Sequence, residues 1–366
     1  MRLPHFAPLP ASLPATVPFV GPETLERQRG AAFPARLGAN ENGFGPSPKA
    51  IEAMAQAAGE VWKYGDSTSH DLVHALAAHH RVTPAHILVG EGIDGLLGLT
   101  ARLMLAPGDA VVTSDGAYPT FNYHVAGFGG VLHKVPYRND AEDPAALTAM
   151  AREVGARLTY IANPDNPMGS WHEGDVIAAM LDELPPDSLL LLDEAYVEFA
   201  PDSAVPAISH DDPRVLRFRT FSKAYGMAGA RIGYVIGHPD LIAGFERIRN
   251  HFGVNRVAQA GALAALGDQD WLVQVQGRVA AARNRIAAIA GECGMTALPS
   301  ATNFVAVDTG RDGSHARAIV QGLAERGVFI RMPGVAPLDR CIRVSCAPEI
   351  ELDLFAEGLP QVLSEF

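Results

Sequence analysis

Seven short strand-like runs, at residues 86–89, 110–113, 131–135, 158–162, 189–192, 215–219 and 232–236, alternate with Ala/Leu-rich stretches such as 95–105, 143–154 and 174–182. Strands separated by helix-length segments pair mainly in parallel, since a crossover helix carries the chain back to the same end of the sheet, and such a sheet is covered on both faces. The pattern therefore predicts an α/β fold with a mainly parallel seven-stranded sheet flanked by helices. From about residue 262 the reading changes to a long Ala/Arg helix around 273–292, then strands near 303–307, 328–331 and 341–345 with a helix between them. This second pattern predicts a smaller α+β domain. The expected organisation is an N-terminal extended arm at 1–30, a large domain at 51–261, and a small domain built from 31–50 and 262–366. A chain of 366 residues, 48% of them hydrophobic, is long enough for two cores.

In open α/β sheets ligands bind beyond the carboxyl ends of the strands, so the residues that follow each run carry the chemistry. The run Ser188-Leu189-Leu190-Leu191-Leu192 ends in Asp193-Glu194-Ala195-Tyr196. A carboxylate after a strand is also an ordinary helix cap, and taken alone it says little. The next run leads into Thr220-Phe221-Ser222-Lys223-Ala224-Tyr225-Gly226, with Arg231 eight positions after the lysine and no acid between them. Most lysines sit on the surface. One that traps carbonyls needs its ammonium form destabilised by burial or by nearby cations, and this segment offers both. A third run, Leu158 to Ala162, enters the turn Asn163-Pro164-Asp165-Asn166-Pro167-Met168-Gly169, where the prolines favour extended or turn geometry.

In this order, the Asn-Pro turn, the strand followed by Asp-x-x-Tyr, the Ser-Lys segment and the later arginine resemble the fold-type I pyridoxal-phosphate enzymes. The resemblance is to the histidinol-phosphate aminotransferase branch of the class I/II aminotransferases, and it covers nearly the whole chain. It implies pyridoxal 5'-phosphate as cofactor, with Lys223 as the catalytic amine that holds it as a Schiff base and moves the proton. It further implies that Asp193 pairs with the ring nitrogen, that Asn166 and Tyr196 hydrogen-bond the ring oxygen, and that Tyr118 stacks on the ring face. The phosphate is expected on the helix start Gly92-Ile93-Asp94, where free N–H groups and the helix dipole favour an anion. Thr220, Ser222 and Arg231 complete that cradle. Tyr64 matches a tyrosine contributed by a neighbouring subunit, which implies a homodimer with shared active sites.

For the substrate, the resemblance points to Arg343 and Arg331 for an anionic group, with Asn42 beside them. Arg343 lies in an apolar alternating context, Cys341-Ile342-Arg343-Val344-Ser345, where an unpaired charge is costly. The chain departs from the family pattern at Phe19, where the family often has a tyrosine, so one phosphate-binding hydroxyl is expected to be missing. It also carries Asp165 and Met168 where Asn and Thr are usual.

A formal charge of −12 argues against binding nucleic acid through its phosphates. Cys293, Cys341 and Cys346 form no disulfide framework and no metal-ligand spacing, and the 13 histidines are scattered, so no metal site is expected and a reducing cytoplasm is. The proline-rich N-terminus has no sustained apolar run and reads as neither signal peptide nor membrane anchor. The expected activity is a ping-pong aminotransferase passing an amino group between histidinol phosphate and 2-oxoglutarate. Three alternatives stay open from sequence: an aminotransferase for aromatic or other amino acids, a decarboxylase resembling threonine-phosphate decarboxylase, and a binder of phosphate compounds without enzymatic activity.

Overall fold

The computed structural model describes residues 6–15 and 20–365. Along these residues run the strands β1 (Ala35–Arg36), β2 (Ile87–Gly90), β3 (Ala110–Ser114), β4 (Val131–Val135), β5 (Leu158–Ala162), β6 (Leu189–Asp193), β7 (Val215–Thr220), β8 (Gly233–Gly237), β9 (Thr296–Ala297), β10 (Phe304–Asp308), β11 (Val328–Phe329) and β12 (Cys341–Ser345). Strands β2 to β8 make one seven-stranded sheet in the order β2-β8-β7-β6-β5-β3-β4. All its pairings are parallel except the two made by β8, which runs antiparallel to both β2 and β7.

The leucine run explains why the centre of this sheet is so apolar. Successive side chains of a strand point to opposite faces. Leu189 and Leu191 pack with Tyr160, Phe121 and Phe218 under the helix Gly92–Met104, whereas Leu190 and Leu192 pack with Ile161, Leu147 and Ile177 under the helices Pro144–Val154 and Gly174–Glu183. Both faces are covered, so no position in the run is left for a polar residue until the strand ends at Asp193. In register, Asp193 lies opposite Ala162 of β5 and Phe218 of β7. The three chemistry-bearing loops therefore leave the sheet side by side.

The remaining strands form two small sheets, β12-β10-β9 (antiparallel) and β1-β11 (parallel). They pack against the helices Gln269–Glu292, Gly313–Glu325 and Glu349–Leu363 through a core that includes Val279, Phe304, Ile319 and Phe355. The N-terminal stretch is not wholly extended as expected: it contains the helices Pro8–Ser12 and Pro22–Arg29, each with proline in its first turn. Proline fixes a helical φ and lacks only an N–H that the first turn does not use, so proline richness there is compatible with helix. Among the described residues no helix is long and apolar enough to cross a membrane.

Candidate active site

Lys223 follows β7 directly. Its ammonium donates to the main-chain oxygen of Asn40 at 3.0 Å and lies 5.4 Å above the Tyr196 ring. Burial, with Arg343 and Arg231 adding positive charge nearby, pulls this amine down to about 8. The free-base form is thus within reach near neutral pH, as carbonyl trapping requires. Across the site, Asp193 accepts hydrogen bonds from Tyr160 (2.7 Å) and the Ala195 N–H (2.9 Å), and burial pushes its carboxyl up to about 6.

The adjacent Glu194 behaves in the opposite way. Burial alone raises it, but Arg217 (2.6 and 3.1 Å) and Arg219 (2.9 Å) outweigh that and hold it at about 2. Neighbouring carboxylates in divergent environments have divergent tasks. Glu194 is spent on an internal ion pair, whereas Asp193 faces the site with capacity for a further cation.

An anion cradle lies at the start of the helix Gly92–Met104, whose N-cap, Glu91, makes no side-chain cap hydrogen bond. Gly92 has a φ of +82°, and a Cβ placed on it would stand 2.7 Å from Nη2 of Arg231. Glycine is required there on both counts, and the guanidinium is held directly against the helix start. Nη1 of Arg231 reaches Ser222 Oγ at 3.4 Å, and the Thr220 hydroxyl accepts from the Ser222 N–H at 3.0 Å. Gly92, Ile93, Asp94, Thr220, Ser222 and Arg231 are thus gathered at one end of the site. Tyr118, at the start of the helix Pro119–Gly127, is partly buried nearby, and burial moves its phenol up to about 12.

At the other end β12 brings in Arg343. Its Nη1 donates to Oδ1 of Asn166 at 2.6 Å and its guanidinium stands 5.2 Å over the Phe304 ring, while its Nε is buried without a partner among the described residues. Arg331 bridges Arg343 through the main chain, N–H to oxygen in both directions at 3.2 and 2.6 Å. Burial, with the Arg343 guanidinium adding positive charge nearby, brings Arg331 down to about 10. Arg331 also donates to the main-chain oxygen of Val20. Arg331, just past β11, thus meets Arg343 of β12 through an isolated antiparallel bridge, and two cations so placed suit a doubly charged anion.

Other expected residues fall differently. The amide of Asn42 is used within the protein, donating to the main-chain oxygens of Lys223 (3.2 Å) and Ala224 (3.1 Å), so it braces the lysine loop. Tyr64 is 77% exposed and stacks on Phe252 at 4.6 Å, outside the pocket of its own chain. Phe19 lies outside the described residues. Sequence reasoning assigned no role to Asn40, Asn303 and Ser345, which meet behind Lys223, nor to Tyr160, whose hydroxyl supports Asp193. A buried strand carrying a tyrosine hydroxyl beside the run that ends in Asp193 was the available signal for Tyr160. Among the described residues no cluster of His, Cys, Asp or Glu could hold a metal ion.

The unusual Asp165 is buried, accepting from Tyr137 (2.8 Å) and the Met168 N–H (3.0 Å). Glu142, buried near it, accepts from Ser114 (2.5 Å) and the Ala162 N–H (2.9 Å). Burial raises both carboxyls, Asp165 to about 7. An unfolded aspartate titrates near 3.9, so between about pH 4 and 7 the folded state holds the extra proton and stability falls as pH rises. Asp165→Asn is therefore expected to gain stability relative to the parent on going from pH 5 to pH 8. Urea unfolding at the two pH values checks this, and an equal difference at both would contradict it.

The donor set fits pyridoxal phosphate group by group: an amine of lowered pKa for its carbonyl, a buried carboxylate for its ring nitrogen, a phenol and an amide for its ring oxygen, and an uncapped helix start with a guanidinium for its phosphate. The chain matches the family model "Aminotransferase class I and II" over residues 35–359. It is 36% identical to histidinol-phosphate aminotransferase 2 of Nitrosospira multiformis over 332 residues, 88% of this chain and 82% of that one. It is likewise 36% identical to histidinol-phosphate aminotransferase 1 of Nitrosococcus oceani, over 94% of this chain and 93% of that one. Among solved structures, histidinol-phosphate aminotransferase from Sinorhizobium meliloti in complex with pyridoxal-5'-phosphate superposes with a TM-score of 0.97 at 55% identity, covering 100% of this chain and 99% of that one.

Proposed function

The chain belongs to the class I and II aminotransferases, enzymes that work with pyridoxal phosphate, and from that premise we propose that it moves the amino group of histidinol phosphate to 2-oxoglutarate. The observation that carries the substrate is the arginine pair. Arg343 and Arg331 set two positive charges at the end of the site away from the cofactor's phosphate cradle, and the buried Nε of Arg343 has no partner among the described residues. A substrate phosphate, or a carboxylate of 2-oxoglutarate in the second half-reaction, gives the Arg343 Nε its acceptor. The names borne by the relatives support the same reading.

Bound pyridoxal phosphate supplies a carbonyl that condenses with amines and a ring that draws electrons from the substrate carbon. Lys223 would hold the cofactor, and once freed its Nζ, drawn down to about 8 by burial and the nearby arginines, would take and return the proton at that carbon near neutral pH. Asp193 would keep the ring nitrogen protonated. Tyr196 and Asn166 would hold the ring oxygen, the Asn166 oxygen itself accepting from Arg343. Tyr118 would pack on the ring. Backbone N–H groups of Gly92, Ile93 and Asp94, with Thr220, Ser222 and Arg231, would hold the phosphate.

On this reading the site lies between a large domain at 51–261 and a small domain at 31–50 and 262–366. The protein acts as a homodimer in the cytoplasm: Val61, Trp62, Tyr64 and Phe252 are exposed, Tyr64 and Phe252 stacking on each other, as apolar side chains that a second copy covers are, and the cysteines are free.

The half-reaction tests this reading. Histidinol phosphate, histidinol, glutamate and aromatic amino acids are mixed separately with the cofactor-loaded protein, and the cofactor's visible absorbance is followed. Histidinol phosphate is expected to convert the cofactor fastest. Histidinol should be slower by roughly 10–150-fold, the worth of about 1.5–3 kcal/mol for a hydrogen bond to a charged group. Conversion by aromatic amino acids alone would replace the substrate, and release of carbon dioxide without any need for a keto acid would make the protein a lyase.

A further inference from the structure

Tyr196 is 3% exposed, and its hydroxyl accepts a hydrogen bond from Nδ2 of Asn40 at 3.1 Å. A phenol has one proton to give. Because its oxygen already receives the Asn40 donor, and it makes no other hydrogen bond among the described residues, that proton is directed away from Asn40. The orientation of the Asn40 amide is itself fixed. Ser345 Oγ accepts from the Asn40 N–H at 3.1 Å and donates to Oδ1 at 3.4 Å, so Nδ2 is the end left to meet the phenol.

Asn40 also sits in the left-handed region at φ 54°, a conformation that asparagine tolerates better than most residues. In that conformation its main-chain oxygen takes Lys223 Nζ at 3.0 Å and Asn303 Nδ2 at 3.2 Å. One residue thus contacts the amine, the phenol and β12. On β12, Ser345 and Arg343 are two positions apart and share a face, so the strand that offers a guanidinium to the substrate also orients Asn40.

We propose that Asn40 is a positioning residue that fixes Tyr196 as a hydrogen-bond donor toward the cofactor's ring oxygen, and that β12 holds Asn40 in the orientation this requires. The inference rests on the placement of Tyr196 against that oxygen in the proposed function.

The test uses the cofactor-loaded protein and the pH midpoint of its visible absorbance change, a readout separate from turnover. Asn40→Gly keeps the left-handed backbone and the carbonyl that Lys223 uses, and removes the amide alone. A donor to the ring oxygen favours the more negative form of the chromophore, so Tyr196→Phe is expected to raise the midpoint. Asn40→Gly should raise it in the same direction by roughly 0.3–1 pH unit, and should add nothing in the Tyr196→Phe background. If Tyr196→Phe shifts the midpoint while Asn40→Gly does not, or if Asn40→Gly shifts it equally in both backgrounds, the role of Asn40 is overturned and that of Tyr196 stands. If Tyr196→Phe leaves the midpoint unchanged, the placement of Tyr196 fails and this inference fails with it.

Discussion

Lys223→Ala is expected to yield a folded protein whose turnover falls by at least roughly 10²–10⁴-fold, the usual worth of a positioned proton-transfer group. The fold should survive because the amine contributes little to it. Its hydrogen bond is to the main-chain oxygen of Asn40, which Asn303 also satisfies, and the lysine loop is braced through its own carbonyls by Asn42. Burial disfavours the ammonium form, so deleting it removes a cost rather than a support. Steady-state kinetics beside circular dichroism measures both halves. Residual activity above about one per cent in a folded variant would contradict the role given to Lys223.

Asp193→Asn is expected to be the next most damaging change. The substitution keeps the shape and an oxygen to accept the Ala195 N–H, but removes the charge proposed to pair with the cofactor's ring nitrogen. Loss of one partner of a buried ion pair costs about 3–5 kcal/mol. Expressed in the transition state, that is a fall in kcat of roughly 10²–10⁴-fold. The free carboxyl titrates at about 6 because of burial, so it awaits a cation, unlike Glu194, whose charge Arg217 and Arg219 already neutralise. A fall in kcat of less than about tenfold would show that the ring is activated from elsewhere.

The main sheet was legible because its strands are short, continuous apolar runs bounded by chemistry-bearing turns. Leu189 to Leu192 is buried on both faces and admits no other reading once the flanking helices are recognised. The reversal of β8 was not legible, since direction leaves no mark on a five-residue apolar strand. Helices such as Pro48–Ala58 and His70–His80 escaped notice because short helices gain their stability from tertiary packing more than from propensity.

In the site, the lysine segment and the Asp-x-x-Tyr stood out because each breaks the local rule of its surroundings: a cation among small residues, a carboxylate at the end of a leucine run. Asn40 and Ser345 gave no comparable signal. They lie 305 residues apart, and their partnership arises only where β12 meets the segment after β1. The bracing of the lysine loop by Asn42 was hidden for the same reason, as its partners are main-chain oxygens that no side-chain pattern reveals.

On the proposed function, the buried amine after β7 carries the cofactor. Treating the cofactor-loaded protein with sodium borohydride fixes the cofactor to whichever amine holds it, and peptide mass spectrometry then locates the added mass. That mass is expected on the peptide containing Lys223, with Lys223→Ala unlabelled. Label on another lysine, or equal label in the variant, would contradict it.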